Sequence, residues 1–271
     1  MNFIFNLLKF LPATLGFIGR FSISVLLGIS ASLVWLWHYL KKDVIPEPKK
    51  AIFKVFIWGM IATLPVIIIE ILASKLVKQE IHPFLYWFLI IAFTEEIFKY
   101  FVVILFKILN AKEVDEPVDI MIYMIVAALG FAGLENILYL LPTVEKALPF
   151  FETFKITLTG SLTRFLGATF LHTLSSGALG FFLALSFLKT RNRRRLLTLG
   201  FLIAVFFHGL FNLSLSNPEL IYPHLGIETE GAAGNIGYSI FLIPLIILIT
   251  LFIFVSLAFK KLQKFKNVCK I

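Results

Sequence analysis

The chain has 271 residues, 59% of them hydrophobic and only 15% charged, with a formal net charge of +9. A soluble domain carries about 25% charged residues, so this composition cannot build a water-covered surface. An aromatic content of 15%, with 31 Phe, excludes disorder, and the single Cys, Cys269, excludes a disulfide scaffold. What is left is an all-α, polytopic transmembrane helical bundle, read as one integral membrane domain over residues 1–271.

In chain order, the segment 3–18 is apolar but short and interrupted by Lys9 and Pro12, and is expected to be an interfacial helix. It lacks a basic leader and a small-residue cleavage site, so a removable signal peptide is not expected. Seven stretches then approach or exceed the roughly 20 residues needed to cross hydrocarbon: 21–39, 55–72, 83–106, 118–141, 156–188, 196–215 and 236–259. The loops 142–155 and 217–235 are expected to hold some structure at the outer surface. Cys269 stands third from the end, so a C-a-a-X lipidation box is not expected.

The basic residues sort by side. Seventeen follow spans one, three, five and seven, among them Lys41, Lys42, Arg193, Arg194, Arg195, Lys260 and Lys261; six lie on the opposite side. The positive-inside rule places the C-terminus in the cytoplasm, with the chain a multi-pass protein of the cell membrane. The positive charge is thus a topology signal, and nucleic acid is not an expected partner. The sequence shows no internal repeat, which argues against a secondary transporter.

The two remaining cations, Lys99 and Arg164, fall inside predicted spans, as do Glu95, Glu96, Glu135, His172 and His208, with Asn136 and Asn212 beside them. A mid-bilayer charge costs at least about 2.5–3.5 kcal/mol, so these groups must face inward and pair or line a wet cavity. Glu95 and Glu96 stand four and three residues before Lys99, so all three share a helix face. Lys99 can neutralise one carboxylate and leave the other available. Glu135 follows small residues that permit close helix approach, Arg164 and His172 share the fifth span, and His208 and Asn212 share a face of the sixth. Glu70, near the outer end of span two, reads as a snorkelling interfacial residue.

Carboxylates, two imidazoles and an amide in a dry pocket suit hydrolysis by activated water. In a metal-assisted version Glu135, His172 and His208 bind Zn²⁺ with a fourth position for water, and Glu95 or Glu96 acts as base. In a metal-free version a Glu polarises the water while His208 and Asn212 donate to the oxyanion. The sequence leaves both open.

In order on successive helices, Glu95-Glu96-x-x-Lys99, Phe131-x-x-x-Glu135, an isolated His172 and His208-x-x-x-Asn212 resemble the PrsW family of intramembrane proteases, within the wider group of CAAX prenyl endopeptidases. The Trp-rich helix end at 35–48 resembles that family too, and the likeness covers roughly 30–215. It implies Glu95 or Glu96 as the water-activating group, and Glu135, His172 and His208 as ligands or polarising residues, with Asn212 in support. It also implies a first, outer-side cut in a single-pass membrane protein such as an anti-sigma factor. Lys99 and Glu135, where CAAX enzymes carry Arg and His, argue against prenylated substrates. The alternatives are a non-catalytic scaffold of the same wider group, like the Aph subunit of gamma-secretase, and a proton-coupled transporter using the same carboxylates.

Overall fold

The computed structural model describes the backbone of residues 2–43, 45–109, 114, 116–145, 148–227 and 238–265, and their side chains except those of 2–15, 108, 144, 145, 190 and 238. Cys269, used in reading the sequence, therefore lies outside what is described structurally, and of Lys9 and Pro12 only the backbone is described.

Among the described residues there are eight α-helices: α1 (Asn2–Leu40), α2 (Lys49–Ser74), α3 (Thr94–Leu109), α4 (Pro117–Glu145), α5 (Phe150–Leu166), α6 (Ala168–Leu188), α7 (Arg193–Ser216) and α8 (Leu242–Leu262). Among the described residues, six helical stretches are long and apolar enough to cross a membrane. The third predicted span, 83–106, is present as two consecutive pieces, a π-helix at Leu85–Phe93 running into α3. π-helical turns inside an α-helical path are rare and collect at functional sites; this one ends at Phe93, two residues before Glu95. The expected separate N-terminal helix is not separate, because α1 runs unbroken from Asn2 to Leu40.

The long fifth span is broken. Gly167, at φ −101° and ψ −98°, ends α5 and starts α6. The break frees the Phe165 carbonyl, which accepts a bond from the Trp35 indole at 3.0 Å. Trp35 also stacks on Phe165 and Phe170, at 5.1 and 4.1 Å between ring centres. A backbone group freed inside the bilayer needs such a partner, and α1 supplies it.

At the centre stands α4, packed against α1, α2, α3, α5 and α6. Its approach to α2 is close because both carry glycine at the crossing. A Cβ added at Gly59 would lie 2.2 Å from the Ala127 carbonyl oxygen, and one at Gly130 would lie 2.0 Å from that of Phe56. Only residues without side chains allow backbones this near. One turn on, the Thr63 hydroxyl donates to the Phe131 carbonyl at 3.3 Å. The predicted outer loop 217–235 opens with two 3-10 turns, Pro218–Leu220 and Pro223–Leu225; its remainder from 228 is not described.

Candidate active site

Five helices bring the ionisable residues together: α3, α4, α5, α6 and α7. Early in α3, Lys99 Nζ lies 3.1 Å from Glu95 Oε2 and 3.0 Å from Glu96 Oε1. The shared helix face expected from the spacing is therefore real, and Lys99 bridges both carboxylates where neutralisation of one was expected. The same ammonium lies 2.8 Å from His172 Nδ1 on α6 and 4.5 Å over the Phe131 ring. Glu95, Glu96, Lys99, His172 and His208 are all buried.

Glu96 is fully engaged. Its Oε1 accepts from Lys99, from Ser175 at 3.1 Å and from His208 Nδ1 at 3.0 Å, while Oε2 accepts from Ser176 at 2.7 Å. Glu135, from α4, faces the cluster from the other side. Its Oε2 meets His172 Nε2 at 2.8 Å and its Oε1 meets Arg164 Nη2 at 2.8 Å. Arg164 also donates through Nε to Asn136 Oδ1, and Asn136 in turn donates to Thr169 Oγ1 at 2.9 Å. With 32% of its side chain exposed, Glu135 is the most exposed carboxylate of the cluster; Glu95 has 8% and Glu96 none.

Each imidazole is oriented by a carboxylate on one nitrogen. His172 satisfies both its contacts as the neutral ring protonated at Nε2, which donates to Glu135 and leaves Nδ1 to accept from Lys99. His208 donates from Nδ1 to Glu96, leaving the Nε2 lone pair free to point elsewhere. Glu95 Oε2 lies 3.5 Å from His172 Nδ1 and 3.8 Å from His208 Nε2, and the rings stand 5.0 Å apart, nearly perpendicular.

These distances revise the ligand set expected from the sequence. Glu95, His172 and His208 are the residues that each place a ligand atom within 4.8 Å of the others; Glu135 is not among them, because its oxygens are taken by Arg164 and the far nitrogen of His172. Zn²⁺ bonds of about 2.0–2.1 Å in a tetrahedron set ligand atoms about 3.3–3.5 Å apart, close to the observed 3.5 and 3.8 Å. Lys99 Nζ, however, lies 3.1 Å from Glu95 Oε2 and 2.8 Å from His172 Nδ1, so a metal ion there requires the ammonium to move off these two atoms. The carboxylates behind His172 and His208 match the way metal-binding imidazoles are held. One predicted member stays outside: Asn212, half-buried one turn beyond His208, forms no hydrogen bond to the cluster among the described residues.

Two kinds of partner escaped the sequence reading. Ser175 and Ser176 were visible one turn past His172, but nothing in their spacing showed that both hydroxyls serve Glu96. Asn217, at the end of α7, receives Trp87 Nε1 at 2.9 Å and Gln79 Nε2 at 3.2 Å, tying the π-helix to α7. No periodicity signals a bond across 130 residues.

Buried carboxylates and oriented imidazoles converging inside a helical membrane bundle are the equipment of an intramembrane hydrolase. The chain belongs to the PrsW family of intramembrane metalloproteases, whose pattern it matches over residues 47–253. It is 33% identical to the Protease PrsW of Oceanobacillus iheyensis over 192 residues, 69% of this chain and 80% of that relative. It is 32% identical to the protein of that name from Geobacillus kaustophilus over 203 residues, 74% of this chain and 83% of the relative. The likeness to the Bacillus subtilis protein is 29% over 194 residues, 70% of this chain and 81% of the relative. No solved structure matches the chain.

Proposed function

We propose that this protein hydrolyses a peptide bond of a single-pass membrane protein, of the anti-sigma-factor kind, in the outer half of the bilayer. The C-terminus is then cytoplasmic, as the distribution of Lys and Arg requires. The observation that carries the reading is the convergence, among buried residues, of Glu95 with the unprotonated nitrogens of His172 and His208, 3.5 and 3.8 Å away.

Glu95, His172 and His208 would hold Zn²⁺, which when bound polarises a carbonyl and acidifies its water. The remaining residues have their own tasks. Glu96, with all its neighbours donating to it, fixes the tautomer and angle of His208. Glu135 does the same for His172 and is itself anchored by Arg164. Lys99 keeps two carboxylates and an imidazole together in a region where unpaired charge is costly. Glu95 borders the space that both imidazoles face, so it is the carboxylate that meets the attacking water. Hydrolysis forms a bond from water oxygen to the carbonyl carbon and breaks the C–N bond. Without metal, Glu95 takes the water's proton and returns it to the leaving amine.

Purified protein in lipid nanodiscs is expected to cut a reporter carrying the transmembrane segment and outer flank of an anti-sigma factor from the same genome. Glu95→Gln and His208→Ala are expected to abolish the cut while leaving the protein folded. Cleavage unchanged in both variants would remove these residues from the chemistry. Metal content of the purified protein, read with the effect of a chelator on cleavage, separates the two versions. Bound metal at about one per chain, lost together with cleavage, selects the metal-assisted one.

A further inference from the structure

Glu70 was expected at the membrane surface, yet the structure turns it inward. The buried stripe of α2 runs through Val55, Gly59, Ala62, Thr63 and Val66, and Glu70 follows Val66 by four residues on the same face. Its Oε1 is shielded from solvent and has no hydrogen-bond partner among the described residues.

Its place relative to the cluster follows from the packing. α2 and α4 run side by side in the same direction, with Gly59 against Ala127 and Thr63 bonded to Phe131. Glu70 is seven residues past Thr63 and Glu135 four past Phe131, so at about 1.5 Å per residue Glu70 stands about one turn beyond Glu135. Glu70 therefore lies on the α4-facing side of α2, about one turn past Glu135, the most exposed carboxylate of the cluster. The cations nearby are already shared, Lys99 among Glu95, Glu96 and His172, and Arg164 between Glu135 and Asn136.

A shielded carboxylate oxygen without a partner is costly, and it has the chemistry of something a substrate would bring. A transmembrane segment is cut only where its helix is unwound, and unwinding inside the bilayer strands backbone N–H groups that need acceptors. We propose that Glu70 is a substrate-binding residue whose Oε1 accepts a backbone N–H from the unwound segment beside the scissile bond. This rests on the proteolytic reading above and adds the point at which the substrate's backbone is held.

The test uses synthetic versions of the transmembrane reporter, one unmodified and a set N-methylated at each amide of the cleaved region in turn, with full-length protein in nanodiscs. Losing one such hydrogen bond is expected to raise KM about five- to tenfold in Glu70→Leu with kcat within about twofold. Glu70→Gln, which keeps an accepting oxygen, is expected to stay within about threefold of the unsubstituted protein. One N-methylated position should raise the unsubstituted protein's KM by a similar factor and add nothing further in Glu70→Leu. Should Glu70→Leu not fold, Glu70→Asp, which withdraws the same group by one methylene, carries the comparison. An unchanged KM in Glu70→Leu, or N-methyl penalties that persist undiminished in it, overturns the assignment while proteolysis stands. An unsubstituted protein that leaves the reporter intact overturns the proteolytic reading and this proposal with it.

Discussion

Helices α4 and α8 both cross the bundle, but in opposite environments. The most apolar window of α8 has a mean hydropathy of 3.1 and is 33% buried; that of α4 has 1.9 and is 94% buried. In water the more apolar helix would be the inner one. In lipid the order inverts, because hydrocarbon outside is as apolar as the core, and burial follows close packing and polar pairing instead. The inner helix is the one with Gly130 and Gly133 for close approach and with Glu135 and Asn136 for pairing. The outer one turns Leu245, Ile246, Ile249 and Ile253 outward and carries no ionisable residue before Lys260. The charged cluster lies where the helices are least accessible to lipid.

Substitutions should separate the two environments by size of effect. Lys99→Met leaves Glu95 and Glu96 buried without their shared cation, and is expected to cost about 3–5 kcal/mol of stability, read as loss of folded protein or a large fall in thermal midpoint. Gly130→Ala forces a methyl group against the Phe56 carbonyl and is expected to cost about 1–3 kcal/mol, read by thermal unfolding in the same detergent. Arg164→Gln removes the cation from the partly exposed Glu135, with an expected loss of about 1–2 kcal/mol and looser positioning of His172. Ile249→Ala, on the lipid face of α8, is expected to stay within about 0.5 kcal/mol. If Ile249→Ala cost as much as Gly130→Ala, the inversion drawn between the two helices would fail.

Much of this arrangement was legible in the sequence. Hydropathy located the spans, and the spacing of Glu95, Glu96 and Lys99 anticipated their shared face. The order of motifs pointed to the family whose pattern extends over residues 47–253. What was not legible has physical causes. The break at Gly167 leaves no trace in hydropathy, because both flanks are apolar and Gly is common in membrane helices. That Glu95 and not Glu135 lies within reach of both imidazoles depends on which ring nitrogen faces which helix, a matter of helix rotation that spacing within one helix does not record. Glu70 was misjudged because nearness to a span's end suggests snorkelling, whereas its phase on α2 turns it toward the pocket.

The most direct test of the central claim compares cleavage of the transmembrane reporter by the unsubstituted protein and by Glu95→Gln in the same nanodiscs. A product from the first and none from a folded second is the expected result. Equal cleavage by both would show that the water is activated elsewhere and would contradict the account.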